Sequence, residues 1–275
     1  MDSRFVKLKN LGSFRRFTLA NWKAPIDPSV YIHLQADFTF AQAYIDDLNR
    51  NHEGLVTIVH FVSKAMALVM KKYPQLNAVV VGGNIYLRKT IDMYINIFLP
   101  AKSLGGKSEL AGGKIENCDE KSLLQIANEA RVKAQLVRSG NDDGTEKTQR
   151  LLNFVPTFLL SFLLWLVDFL TLRMGLNLQF LGLRSDFFGS CLIAGLYKYN
   201  NPTTFTALLP FTRWGVILCI NSVLPKPWIV GDKVMPRPVL DIGITGDHRL
   251  LDGSESAMAC NYLKEILENP KIHMQ

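Results

Sequence analysis

Residues 238–270 read "PVLDIGITGDHRLLDGSESAMACNYLKEILENP". The opening run, through His248, is rich in strand formers, and the closing run spaces Ala257, Cys260, Leu263 and Leu267 as one face of a helix. Between them the loop "GDHRLLDG" carries a histidine and an aspartate four positions apart and ends on Gly253. A strand that hands over to such a helix implies a helix packed on a sheet. Functional side chains concentrate at loops of this kind, because the scaffold fixes them while the loop exposes them.

His248 suits proton transfer. An imidazole with a reference pKa near 6.5 takes and returns a proton at neutral pH. A thiol of pKa about 8.5 is a natural partner, since the transfer is only mildly uphill and yields a strong nucleophile. Asp252 has two available roles, fixing the histidine tautomer or holding the loop through an arginine. Gly253 is expected to permit a backbone turn that other residues tolerate poorly. Taken alone, the same three residue types also arise as an ordinary polar loop.

Before this stretch, "SCLIAGLY" (190–197) and "GVILCINSV" (215–223) are further strand-like runs, and "KPWIVGDKVMPRP" reads as a hairpin or a loop. In the first half, "VYIHLQADFTF" (30–40) alternates as a half-buried strand, and the pattern turns helical from Phe40 to Asn49. "LVTIVHFVSKAMALVMKKY" (55–73) is a long apolar helix with Lys71 and Lys72 at its favourable end. "AVVVGGNIYLRKTIDMYINIFLP" reads as a hairpin around "GGN" followed by a strand from Ile91 to Leu99. "DEKSLLQIANEARVKAQLVRSG" is a helix ending on Gly140. Strands followed by helices in both halves, with no linker between, imply one α/β domain with a mixed sheet.

Leu151 to Leu172 hold a single charge, Asp168. Some 20 apolar residues span a bilayer, but Pro156 in the first turn leaves about 16, or about 24 Å of helix against a core of about 30 Å. Thr157, Ser161, Asp168 and Thr171 line up as a narrow polar stripe. The pattern favours a buried or subunit-facing helix, with peripheral membrane attachment and a true span as alternatives.

The 275 residues are 48% hydrophobic and 20% charged, which suits a chain with a sizeable core. The formal charge of +7 admits anionic partners. Its basic residues are dispersed, with nothing longer than pairs such as Arg15-Arg16 and Lys71-Lys72, and this excludes a nucleic-acid reading. The four cysteines, Cys118, Cys191, Cys219 and Cys260, form no metal-ligand or disulfide spacing, so a reducing, cytoplasmic setting is expected and no metal site. "SFRRFTLANWK" lacks the apolar run of an export signal behind its arginines. "AGGKIE" lacks the Ser or Thr of a phosphate loop. His60 falls inside the apolar helix and reads as a core residue, and His33, His52 and His273 have no partner pattern.

The run "DHRLLDGSESAMACNYLKEILENP" resembles the C-terminal signature of the catalytic domains of dihydrolipoyl acyltransferases of 2-oxo acid dehydrogenase complexes, relatives of chloramphenicol acetyltransferase. "RRFTLANWKAP", "PQLNAVVVGGNIYLRKTIDM" and "ENCDEKSLLQIANEAR" match further family blocks in order. The resemblance covers the chain apart from Leu151–Leu183, an apolar helical insertion within a single 1–275 catalytic domain. It implies a chloramphenicol acetyltransferase-like two-layer α/β sandwich with a mixed β-sheet. It also implies a trimer, or a higher assembly of trimers, with the active site between subunits, and coenzyme A or acyl-CoA as substrate rather than a bound cofactor. His248 matches the general base, and Asp252 matches the family aspartate that pairs with an arginine near the N-terminus, Arg15 or Arg16. The acyl group and its acceptor stay open.

Two departures stand out. The resemblance puts the oxyanion hydroxyl of a Ser or Thr at Ala194, in "LIAGLY", where no hydroxyl exists. Ser190 and Tyr197 are the nearby substitutes, and Ser190, four residues along a strand, is about 13 Å away. Loss of one such donor costs about 10²–10³ in rate, so a slow enzyme and a catalytically silent scaffold are both expected outcomes. The second departure is that 275 residues leave no room for a lipoyl or subunit-binding domain.

Overall fold

A computed structural model describes residues 27–50, 52, 55–81, 84–99, 109–139, 156–170, 174, 176 and 186–274. Six strands form one sheet in the order β1 (Ser29–Asp37), β8 (Lys233–Asp247), β7 (Val216–Val230), β6 (Cys191–Gly195), β4 (Met93–Leu99) and β5 (Glu109–Ile115). β6 runs parallel to both β4 and β7, and the other neighbours are antiparallel. The sheet is therefore mixed, as the alternation of strands and helices predicts. β2 (Ala78–Val81) and β3 (Asn84–Leu87) make a separate hairpin around the "GG" pair.

Strand alternation gives the sheet two unlike faces. Along β8, Leu240, Ile242 and Ile244 enter the main core, while Asp241, Gly243 and Thr245 point to the other side. Along β6, Cys191 and Ile193 enter the core, while Leu192 joins a second cluster with Trp214 and Ile217. Helices cover the first face. α2 (Ile58–Lys72) is buried over most of its circumference, from Phe61 to Ala67 and again at Val69 and Met70, as suits its apolar run, and Phe61 meets Phe38 edge-on at 5.8 Å. α1 (Thr39–Arg50) and α3 (Leu123–Ser139) pack beside it.

α5 (Gly253–Glu268) lies against α2 and β1, followed by the short α6 (Pro270–His273). Its buried stripe is Ala259, Leu263, Ile266 and Leu267. This corrects the sequence expectation by a fraction of a turn: Ala257 is exposed and Cys260 lies at the margin. The docking angle of the helix, set by Leu250 and Leu251 burying just before it, decides which apolar residues turn inward.

β7 and β8 extend to Val230 and Lys233 and join through a tight turn with Gly231 at φ 60°. "KPWIVGDKVMPRP" is thus a hairpin arm. Its prolines disguise it: Pro225 pairs with Pro238 and Pro227 with Pro236. Alternate residues of an antiparallel pair point their N–H away from the partner, so prolines at such positions forfeit no ladder bond.

α4 (Thr157–Asp168) begins directly after Pro156. Among the described residues no helix is long and apolar enough to cross a membrane. The helix is not buried in its own chain, since Leu159, Phe162, Leu163 and Trp165 are exposed. Trp165 stacks on Phe169 at 5.5 Å and on Phe162 at 6.0 Å. The expected polar stripe, from Thr157 to Thr171, lies outside the described side chains.

Candidate active site

The "GDHRLLDG" loop is held from both sides. Asp247 closes β8 by donating its N–H to the Gly215 carbonyl at 2.9 Å, and the His248 N–H donates to the Pro28 carbonyl at 2.9 Å. Leu250 and Leu251 anchor the turn in the core. His248 itself is exposed. Its Nδ1 lies 2.7 Å from the Leu251 carbonyl oxygen. A carbonyl only accepts, so Nδ1 carries the proton and Nε2 presents its lone pair to solvent. That is the tautomer a general base needs, fixed by the main chain.

Asp252 does not fix the tautomer. It is the N-cap of α5: its Oδ1 accepts from the Glu255 N–H at 2.8 Å and from Ser254 Oγ at 2.8 Å. Glu255 Oε2 in turn accepts from the Asp252 N–H at 3.2 Å, completing a capping box. The Glu255 N–H, then the Ser254 hydroxyl, hold the Asp252 carboxyl below its usual value. Arg15 and Arg16, the proposed partners of Asp252, lie outside the described residues. Among the described residues the arginine of this loop is Arg249, and it forks onto buried Asp247 at 2.6–3.1 Å. Gly253 departs from expectation, because it is the first helical residue, has no positive φ, and a Cβ there would meet open space. Its backbone demands no glycine.

Ala194 is buried near the end of β6, on the face away from the helices. In register it pairs with Cys219, and Cys219 with Gly243. His248 is thus five residues further along β8 and two strands across, a separation of about 19 Å at strand spacings of about 3.3 and 4.8 Å. The two positions cannot meet one reacting carbonyl within one chain. Ser190 offers no substitute: its hydroxyl accepts from the Asp92 N–H at 3.0 Å, and it sits at the other end of β6. Tyr197 packs its ring against the helix-side core, and burial pushes its phenol up.

Sequence reading missed a polar group on the same open face. Buried Asp241 accepts from His33 Nε2 at 2.8 Å, Thr203 Oγ1 at 2.9 Å, Gln35 Nε2 at 3.1 Å and Lys226 Nζ at 3.3 Å. Burial pushes its carboxyl up, but the bonds from Gln35, His33, Thr203 and Lys226 outweigh this and bring it to about 2. The glycine interrupting "DIGIT" was the only local signal that something approaches this strand closely. Among the described residues no group of His, Cys, Asp and Glu could hold a metal ion.

The 2-oxoacid dehydrogenases acyltransferase (catalytic domain) family matches residues 14–149 and 199–274. The chain belongs to this family. The unmatched interval contains both α4 and β6 with Ala194. The chain is 26% identical over 243 residues to the dihydrolipoyllysine-residue acetyltransferase component of the pyruvate dehydrogenase complex of Cupriavidus necator, covering 87% of this chain and 35% of that protein. It thus spans about a third of that relative's length. Among solved structures it resembles the cubic core of the pyruvate dehydrogenase multienzyme complex, with a TM-score of 0.67, 18% identity, and 99% and 96% of the two chains covered. It also resembles the dihydrolipoamide acetyltransferase of Azotobacter vinelandii, with a TM-score of 0.66, 18% identity, and 98% and 95% covered. That structure concerns the roles of a serine, a histidine and an asparagine in the catalytic mechanism, the asparagine four positions after the histidine. These likenesses establish the fold, an α/β sandwich of the acyltransferase core type.

Proposed function

We propose that this chain transfers acyl groups between thiols, with coenzyme A or an acyl-CoA as one substrate and His248 as the general base. The observation that carries the reading is the 2.7 Å bond from His248 Nδ1 to the Leu251 carbonyl, which leaves an exposed Nε2 free to take a proton. In the reaction, Nε2 accepts the proton of the attacking thiol, and the thiolate sulfur bonds to the carbonyl carbon of the thioester. The carbonyl π pair moves to oxygen; when it returns, the old carbon–sulfur bond breaks and the imidazolium gives its proton to the departing sulfur. The spacing of His248 and Asp252 repeats that of the histidine and asparagine studied in the Azotobacter enzyme. Asp252 supports the base by capping the helix that follows it.

The separation of about 19 Å between His248 and Ala194, from strand spacings, favours a site assembled between copies of the chain, as a homotrimer or an assembly of trimers. The exposed apolar side of α4 is assigned to contacts outside the single chain, a neighbouring subunit first and a lipid surface second. Comigration with anionic liposomes on flotation would favour lipid, and a detergent-free assembly that stays with the soluble fraction would favour a subunit contact. A second reading, a catalytically silent scaffold, is favoured by one observation, the absent hydroxyl at Ala194.

Thiol release from acetyl-CoA with a dithiol acceptor decides between the two. His248→Ala and His248→Gln are expected to lose about 10²–10⁴ in rate, the usual contribution of a positioned base. Equal rates in wild type and both variants overturn the enzyme reading.

A further inference from the structure

The row of residues that carries Ala194 across the sheet begins on β5. Tyr94 and Ile95 of β4 lie beside Leu192 and Ile193 of the parallel strand β6, so the next residues, Asn96 and Ala194, are neighbours about 4.8 Å apart. On its other side Asn96 pairs with Gly112, and beyond Ala194 the row runs through Cys219 to Gly243. Ile95 and Ile193 enter the helix-side core, while Tyr94 and Leu192 share the second cluster. Alternation therefore puts Asn96 and Ala194 side by side on the face away from the helices.

Asn96 is half-buried, and its side-chain amide makes no hydrogen bond among the described residues. Its neighbours leave it one open flank. A Cβ at Gly112 would collide with the Tyr94 ring, so that ring occupies the β5 side of Asn96. On the β6 side Ala194 offers only a methyl group, which leaves room for an amide to lean over it. Acyl transfer needs a hydrogen-bond donor where the carbonyl oxygen becomes an oxyanion, and Ala194 has none to give. An asparagine Nδ2 carries two N–H donors and can serve such a site as a hydroxyl does.

We propose that the Asn96 amide is the oxyanion donor of this chain, supplied from the strand beside the one that lacks the hydroxyl. The assignment rests on the acyl-transfer reading above. An amide with no protein partner gives up no internal bond when it meets an oxyanion, and it gains a charge-assisted one. As the thiol proton passes to His248 Nε2 and the sulfur bonds to the carbonyl carbon, the π pair becomes the oxygen lone pair that Asn96 Nδ2–H meets. As the intermediate collapses the pair returns, the old carbon–sulfur bond breaks and the imidazolium gives its proton to the departing sulfur. Asn96 keeps its own protons throughout. Asn96 lies three strands across and five residues along from His248 of its own chain, about 22 Å at the same strand spacings, so donor and base meet in the site assembled between copies. Gly112 is a positioning residue, because it admits the Tyr94 ring that closes one flank.

The test compares wild type, His248→Ala, Asn96→Leu, Asn96→Asp and the double variant Asn96→Leu/Ala194→Ser, in thiol release from acetyl-CoA with a dithiol acceptor and in thermal unfolding. Leucine keeps the size of asparagine without its amide, and aspartate keeps the shape but only accepts. Asn96→Leu is expected to lose about 10²–10³ in kcat, the usual effect of one oxyanion donor, with KM and melting temperature nearly unchanged. Asn96→Asp is expected to lose at least as much, because its carboxylate repels the oxyanion. Ala194→Ser is expected to restore most of what Asn96→Leu loses, because it returns a hydroxyl to the same row. If wild type is active and dependent on His248 while Asn96→Leu matches it in kcat, the Asn96 assignment fails and the acyl-transfer reading stands. A full rate in Asn96→Asp, a loss confined to KM, or a loss that Ala194→Ser does not relieve reduces Asn96 to a packing residue and also overturns the assignment. A wild type no faster than His248→Ala overturns both.

Discussion

His248 and Leu251 are joined by a hydrogen bond across three residues, ring Nδ1 to main-chain carbonyl, at 2.7 Å. The base therefore depends on where the chain goes immediately after it, and that is set by the cap at Asp252. Asp252→Ala is expected to lower the melting temperature by about 2–4 °C, the usual result of losing a cap in a chain of this size. It is also expected to slow thiol release, because a frayed first turn frees the Leu251 carbonyl. Asp252→Asn keeps an N-cap acceptor and should retain both properties. Thermal unfolding beside the rate assay checks this, and an inactive Asp252→Asn with normal stability would assign the carboxylate a role beyond capping.

A second expectation concerns His60 at the start of α2. Its Nδ1 accepts from the Thr57 N–H at 3.2 Å, and burial pushes its pKa down to about 4. A depressed folded pKa means that the neutral ring stabilises the fold above the unfolded value near 6.5, and that this is lost as pH falls toward 4. The loss is on the order of 2–3 kcal/mol by pH 4. His60→Gln leaves an acceptor at the third helical position, the Thr-x-x-Gln capping pattern, without the titration. Urea midpoints between pH 7 and pH 4 should fall more steeply in wild type than in His60→Gln.

Asp241 acts in a lower window. Its carboxyl, brought to about 2 by Gln35, His33, Thr203 and Lys226 against the effect of burial, stabilises the fold above the unfolded value near 3.8. That contribution, on the order of 2 kcal/mol, is lost as pH falls through 2. Asp241→Asn removes the titration and should flatten the acid limb of urea unfolding below pH 4. At neutral pH the variant should be less stable than wild type, because His33, Gln35, Thr203, Lys226 and Asn221 lose a charged acceptor.

The terminal strand, loop and helix were legible in the sequence because each part is local: the strand formers of β8, the helical period of α5, and the histidine between them, whereas the cap from Asp252 to Glu255 emerged only from the structure. The length of β7 and β8 was not, because Pro225, Pro227, Pro236 and Pro238 read as loop signals until the pairing register shows each proline opposite another. His33 had no visible partner for a similar reason, since Asp241 lies 208 positions away. The tautomer was legible only as a need. Sequence offered Asp252 for it, while the structure uses a main-chain carbonyl, which no side-chain pattern can announce. The Ala194 gap was visible as a missing residue type, but the crossing of the chain over Gly243 on the same face was not, because it joins residues far apart in sequence.

Gly243 is the point at which that crossing becomes most sensitive to sequence. A methyl group there would overlap the Thr204 carbonyl oxygen and crowd the Phe205 ring, and backbone on a clamped segment yields less than a side chain does. Gly243→Ala should therefore lift the segment from the row, at a cost of about 1–3 kcal/mol as for other overpacked sites. The Asn221 bonds to Thr204 would lengthen. The melting temperature and the urea midpoint should fall together in this variant. Gly246 is the control, because a Cβ there meets Val30 at 3.5 Å, an ordinary contact, and lies away from the crossing. If Gly243→Ala unfolds like wild type while Gly246→Ala is destabilised, the Thr204 carbonyl does not lie over Gly243.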